Sequence, residues 1–250
     1  MGKLYCILGK SASGKSTVER MLENKGLKRI ISTTTRPIRE GEQENVDYHY
    51  ISEDEFKKLE SKNCLLENTQ YREWHYCIDK EFNNFDLSKH DYVCVIEPNG
   101  YRQIIKNLGK ENVIGAYIYV EDKERLLRSL HREIQPDCGE ICRRFLSDIE
   151  LFSNIESEVD YCIENKLVYN TVNEIHKIIL FNQPVIPEGS KIRIKQINNP
   201  KKAHHLVEYV GQVGEVYTNH IILNGYRKYK VLFDNNETAY FFGNELEMIN

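Results

Sequence analysis

Apolar residues fall in two rhythms along the first 180 or so positions. Short apolar runs read as buried strands: Leu4 to Leu8, "YVCVI" from Tyr92, "NVIGAYIYV" from Asn112 and "VDYCIEN" from Val159. Between them, apolar residues return every three or four positions. Val18, Met21 and Leu22 make one helical stripe, with Gly26 as its stop. Phe56 and Leu59 make another, behind a capping box from Ser52 to Glu55. Leu126, Leu127 and Leu130 follow a start at Asp122. Ile141, Phe145, Ile149 and Phe152 follow a start at Glu140. "TVNEIHKIIL" reads as a last helix capped by Thr171. "RIISTTTRP" reads as an extended segment, and "EPNG" after the Tyr92 strand as a turn. Strands alternating with helices predict an α/β fold with a mainly parallel sheet flanked by helices.

The rhythm changes after residue 182. "NQPVIPEGS" holds two of the six prolines, so residues 183–189 read as a linker. Beyond it, "KIRIKQI", "VGEVY", "YKVLFD" and "TAYFF" are short strand-like pieces separated by turn residues, with no helix expected. Residues 190–250 suit a small all-β barrel.

A hydrophobic fraction of 40% in 250 residues supports a core in each part. The net charge of -4 gives no general reason to expect nucleic acid or an anionic membrane as a partner. A local exception is Lys191, Arg193, Lys195, Lys201 and Lys202 with His204 and His205, although acidic residues nearly balance that part of the chain. No apolar run is long enough to span a bilayer, and the chain opens on a strand with no signal-peptide pattern. Seven scattered cysteines point to a reducing cytoplasm. Cys6, Cys94 and Cys162 read as buried strand thiols, and Cys138 with Cys142 lacks the second pair of a zinc site.

The candidate chemistry begins between the first strand and the first helix. Gly9, then four residues, then Gly14-Lys15-Ser16 fits the phosphate-binding loop pattern. Small residues at Ser11, Ala12 and Ser13 let backbone N–H groups approach an anion, and the helix N-terminus adds its positive end. Lys15 can reach the outer phosphates of a nucleotide, the Ser16 hydroxyl can ligate Mg²⁺, and Thr17 follows in the same turn. A second cluster lies in "STTTRPIREGEQENVDYHY". Arg36 and Arg39 suit a clamp on another phosphate, with Tyr48 adding a hydroxyl. Read alone, that stretch is equally a solvated charged loop.

This segment resembles the acceptor-binding segment of guanylate kinases, and the similarity runs through most of residues 1–182. The resemblance implies that Arg36, Arg39, Tyr48 and Tyr76 hold the phosphate of GMP or dGMP. It implies that Ser32 and Glu67 touch the guanine, whose adjacent N1–H and amine suit a carboxylate. The family's arginine-rich lid over the donor phosphates is matched by Arg128, Arg132 and Arg144, with Arg143 beside the last. Arg128 and Arg132 share one helix face, which is also how a salt-bridged surface helix with Glu124 and Glu133 would look. Asn165 matches a position near the nucleotide base, and equally suits a capping or turn residue. The resemblance thus implies a catalytic set of Lys15, Arg36, Arg128, Arg132 and Arg144.

Four positions depart from the family pattern. Cys77 replaces a glycine, Ile78 replaces a hydroxyl residue that contacts guanine O6, and in a D-x-D motif Val95 replaces the first Asp and Glu97 the second. Glu97 keeps a carboxylate for the acceptor or for Mg²⁺. These changes put base specificity in question more than phosphoryl transfer. The C-terminal part is similar to Src-homology-3-like and KOW-type barrels. The expected activity is GMP + ATP to GDP + ADP by a monomer or homodimer. The competing readings are a kinase of another nucleotide or phosphorylated sugar, or a nucleotide-binding scaffold with little catalysis.

Overall fold

The computed structural model describes residues 2–39, 41–132, 135–182, 186–197, 204–223 and 226–249. They divide into two compact units, Met1–Val172 and Asn173–Asn250. The division falls inside the last helix, ahead of the boundary expected after residue 182. The start of the expected linker, at 183–185, lies outside the described residues, as do Glu133, Lys201 and Lys202. Among the described residues, no helix is long and apolar enough to cross a membrane.

The first unit runs β1 (Leu4–Leu8), α1 (Lys15–Glu23), β2 (Lys28–Arg29), β3 (Thr33–Thr34), β4 (His49–Tyr50), α2 (Glu53–Ser61), β5 (Leu65–Tyr71), β6 (Trp74–Asp79), β7 (Tyr92–Val95), α3 (Pro98–Leu108), β8 (Val113–Tyr119), α4 (Asp122–His131), α5 (Cys138–Leu151) and β9 (Tyr161–Glu164), then enters α6 (Val168–Asn182). The main sheet has the order β2-β7-β1-β8-β9, and every pair is parallel. β1 sits at its centre, so all five of its residues are buried. Leu4, Cys6 and Leu8 pack with Tyr92, Cys94, Tyr101, Ile104 and Tyr117. Each apolar side chain removed from water there contributes about 1.5–3 kcal/mol. The Gly9–Lys15 loop leaves the carboxyl end of β1, the end at which open α/β sheets generally bind ligands.

A second sheet, β4-β3-β6-β5, carries the segment expected to bind the acceptor. β3 runs parallel to β4 and antiparallel to β6, and β5 and β6 form a hairpin. α2 covers one face of it, with Phe56 stacked on His75 at 4.0 Å. The helix starts on the expected capping box. Ser52 Oγ accepts the Glu55 N–H at 3.3 Å, and Glu55 accepts the Ser52 N–H at 2.8 Å. Such a cap contributes about 1 kcal/mol.

Three expectations are corrected. The "EPNG" turn opens helix α3. Proline is tolerated in the first helical turn, where its missing N–H costs nothing, and Tyr101 and Ile104 then bury one face. Thr171 does not cap the last helix, which begins at Val168. Its hydroxyl instead donates to Asn165 Oδ1 at 2.9 Å. Cys162 is exposed, because β9 is an edge strand and alternate residues face outward.

In the second unit, β10 (Lys191–Ile194), β11 (Val213–Leu223), β12 (Tyr226–Phe233), β13 (Thr238–Phe242) and β14 (Leu246–Met248) form an antiparallel sheet in the order β13-β12-β11-β10-β14. Ile192, Ile194, Val216, Tyr229, Val231, Phe233 and Phe241 fill its core. A 3-10 turn over His204–Tyr209 stands where no helix was expected.

Candidate active site

The chain leaves β1 at Leu8 and turns through residues 9–14 into α1. A Cβ on Gly9 would lie 2.5 Å from the Ile118 carbonyl oxygen and from Ser13 Oγ, so only glycine fits. Ala12 at φ 60 and Gly14 at φ 92 take the left-handed conformation, which curls the loop. Such a curl, closed by a helix N-terminus, is an anion cradle. Lys15 folds back over it, donating to the Gly9 carbonyl at 2.5 Å and the Lys10 carbonyl at 3.1 Å. Burial pushes its amine down to about 8, against the opposing pull of Asp148 and Glu97. Ser16 and Thr17 are exposed in the first turn of α1.

The loop is braced from two sides. Asn165, just after β9, donates to the Ser13 carbonyl at 2.7 Å. From α5, Asp148 accepts the Ser11 N–H at 2.7 Å and Arg125 Nη1 at 3.0 Å. Arg125 is only 1% exposed and lies 4.6 Å over the Phe145 ring. Neither Arg125 nor Asp148 was read from the sequence. The available signal was a carboxylate inside an apolar stripe, since Asp148 shares a helical face with Ile141, Phe145 and Phe152.

The three arginines expected in a lid are placed differently. Arg132 and Arg144 line one cavity with Ser11, Ala12, Arg125, Ser129 and Phe145. They therefore converge on the phosphate loop. Arg128 instead pairs with Glu124 at 3.0 Å and reaches the Asn165 carbonyl at 3.3 Å. Arg144 is tethered to Glu140 at 2.8 Å. Hydrogen bonds from Arg143 foremost, and from Arg144, hold that carboxyl down at about 2.

The residues expected to hold the acceptor gather on the second sheet, in the segment before it and at the start of α3. Ser32 is half-buried, and its carbonyl accepts the His49 N–H at 2.9 Å. Arg36 is 3% exposed, while the Arg39 side chain is exposed. Tyr48 and Tyr76 meet edge-on at 5.9 Å. Glu67, on β5, is 3% exposed, and its Oε2 is buried without a hydrogen-bond partner among the described residues. Desolvation, and then the Glu97 charge, push its carboxyl up to about 8. Gly100 leaves it room: a Cβ there would meet Glu67 Oε2 at 2.9 Å and Ile96 Cδ1 at 2.7 Å. Glu97 stands before α3 without capping it by its side chain. Burial raises its carboxyl as well, and Lys15 opposes that. Lys15, Glu97 and Glu67 thus form an electrostatically linked line from the phosphate loop to the acceptor sheet.

A family model described as Guanylate kinase matches residues 1–181. The chain belongs to the guanylate kinase family. A guanylate kinase of Mesoplasma florum is 27% identical over 243 residues, covering 94% of this chain and 76% of the relative. One from Latilactobacillus sakei is 30% identical over 184 residues, covering 71% of this chain and 88% of the relative. The crystal structure of guanylate kinase from Anaplasma phagocytophilum has the same fold, at TM-score 0.56 and 24% identity, covering 71% of this chain and 84% of that one. Against this family background, Ile78 and Cys77 are both fully buried on β6. Ile78 packs in the same apolar cluster as Leu66, Ile96 and Tyr101. The Val95 N–H is held by Glu19 of α1 at 2.9 Å, a carboxyl that burial raises to about 7.

Proposed function

We propose that residues 1–181 transfer the γ-phosphoryl group of ATP to GMP or dGMP, giving the diphosphate and ADP. The observation that carries the acceptor reading is the buried, partnerless Glu67 oxygen. A desolvated carboxyl with no internal donor costs free energy unless a ligand supplies one. Guanine offers two adjacent N–H donors, a match that adenine lacks. The relatives are guanylate kinases, which supports the same choice.

In this reading the triphosphate lies on the 9–17 loop. Lys15 leaves the loop carbonyls and moves to the β- and γ-phosphates, while Arg132 and Arg144 meet them from α4 and α5. The acceptor phosphate oxygen forms the new P–O bond as the bond to the β–γ bridging oxygen breaks. The protein contributes alignment and positive charge rather than covalent chemistry. Oxygen donors are at hand for Mg²⁺ in the exposed Ser16 hydroxyl and Glu97. Among the described residues no cluster of three or more metal-ligating side chains exists. This suits an ion that keeps several waters and takes its other ligands from phosphate. Bound there, Mg²⁺ would neutralise charge on the transferring phosphates. The free thiols suit a reducing cytoplasm.

The fully buried Ile78 favours one second reading, in which the acceptor is another nucleotide or a phosphorylated sugar. ADP formation with Mg-ATP and a panel of GMP, dGMP, AMP, CMP, UMP and dTMP separates the two. Turnover with GMP or dGMP alone supports the first. Turnover with another acceptor and none with GMP overturns it.

A further inference from the structure

Glu42 has no part in the scheme above, yet it is the hub of the acceptor segment. Its carboxylate accepts Arg36 Nη1 at 2.9 Å, Arg36 Nη2 at 2.8 Å, the Arg39 N–H at 2.9 Å and the Tyr50 hydroxyl at 2.8 Å. Burial would raise this carboxyl. The donors, Arg36 foremost, hold it down at about 2, so it is anionic at any working pH.

The consequence for Arg36 follows from counting its five N–H groups. The end-on pair, one hydrogen each from Nη1 and Nη2, goes to Glu42. The other Nη1 hydrogen goes to the Pro37 carbonyl at 2.8 Å. Among the described residues the side-on edge, Nε–H with the second Nη2–H, meets no carboxylate or carbonyl, and the Tyr76 hydroxyl is hydrogen-bonded to the guanidinium. That edge is a parallel pair of donors, the geometry that fits two oxygens of one phosphate. The rings of Tyr48 and Tyr50, 5.3 and 5.7 Å from the guanidinium carbon, restrict the plane from turning.

We propose that Glu42 is a positioning residue, which occupies the end-on edge of Arg36 so that the side-on edge is presented to the acceptor phosphate. This rests on the acceptor reading above. The opposite arrangement has Glu42 in the phosphate's own seat, to be expelled when the phosphate arrives. The two arrangements differ in the sign of one measurement.

The test is calorimetric binding of guanosine and of GMP to the unaltered full chain, to Glu42→Gln and to Glu42→Asp. Glu42→Gln removes a negative charge near the phosphate, so simple Coulomb attraction would tighten GMP binding. Positioning predicts the reverse. GMP binding weakens about tenfold, the scale of one charge-assisted hydrogen bond. Guanosine binding stays within about twofold, and Glu42→Asp falls between. In turnover, the KM for the acceptor rises and that for ATP does not. Tighter GMP binding, or equal weakening of guanosine and GMP, overturns the proposal. Failure of the unaltered protein to bind GMP at all overturns the acceptor reading itself, and this inference with it.

Discussion

The side-chain amide of Asn165 donates to the carbonyl of Ser13 at 2.7 Å, while its own oxygen accepts the Thr171 hydroxyl at 2.9 Å. Both ends of a residue expected near the nucleotide base are thus engaged with the protein itself. Gly14 keeps that contact open, because a Cβ there would lie 2.6 Å from the Asn165 nitrogen. Asn165→Ala strands the buried Ser13 carbonyl and should cost about 1–3 kcal/mol of stability. The KM for ATP should rise several-fold, and the preference for ATP over GTP as donor should not change. An altered donor preference in kinetic comparison would return Asn165 to base recognition.

The charge of Lys15 depends on pH just above neutrality. Burial lowers its amine to about 8, so it is charged below that pH and loses its charge above it. The kcat/KM for ATP should therefore fall as pH rises through about 8. Lys15→Met should remove that limb and lower kcat by roughly 100- to 1,000-fold, as the loss of one buried transition-state donor does.

Glu67 should show the opposite slope and a stability effect. Its carboxyl is raised from 4.5 to about 8, so the free protein holds it neutral below that pH. On the proposed acceptor reading guanine takes the carboxylate, so binding of GMP should strengthen between about pH 6 and 8 with release of a proton. In folding, the sign is reversed. A group with a raised native pKa costs nothing below its unfolded value and destabilises increasingly as pH climbs from 4.5 toward 8. Glu67→Gln should therefore raise Tm by several degrees at pH 8, leave it unchanged at pH 4.5, and lower kcat/KM for GMP by at least tenfold. Thermal scans at the two pH values, with one acceptor assay, decide this.

Arg125 and Asp148 form a buried pair, 1% and 11% exposed in their side chains. Arg125→Ala leaves a carboxylate against the phosphate loop with only the Ser11 N–H of its two charge-stabilising donors. The expected loss is on the order of 3 kcal/mol. Arg125→Ala with Asp148→Asn should cost less than the sum of the two, since each change removes the same contact. Additive losses in urea unfolding would show that the pair is not the unit of stability.

Much of this was legible because it depends on local pattern. The uncharged run Leu4–Leu8, the Ser52–Glu55 box and the glycine spacing around Lys15 each dictate a conformation within a few residues, and each stands as read. Pro98 was misread because proline marks both a turn and a helix start, and only the burial of Tyr101 and Ile104 separates them. What escaped reading is what depends on contacts distant in sequence. Asp148 meets Ser11 from 137 residues away, and Asn165 meets Ser13 from 152. Glu42 was visible as an acidic residue near two arginines. Its edge-by-edge division of the Arg36 guanidinium was not, because spacing along a chain carries no information about which nitrogen faces which oxygen.

The cramped space at Gly100 sets an order on change. A methyl group there would meet Ile96 Cδ1 at 2.7 Å and the Glu67 carboxylate at 2.9 Å. Substitution at 100 therefore needs room at 96 as well as at 67, whereas 67 can change alone. A lineage drifting away from this arrangement would cross position 100 last. Once all three had changed, the route back would be blocked at 67, because a returning glutamate would find its space filled.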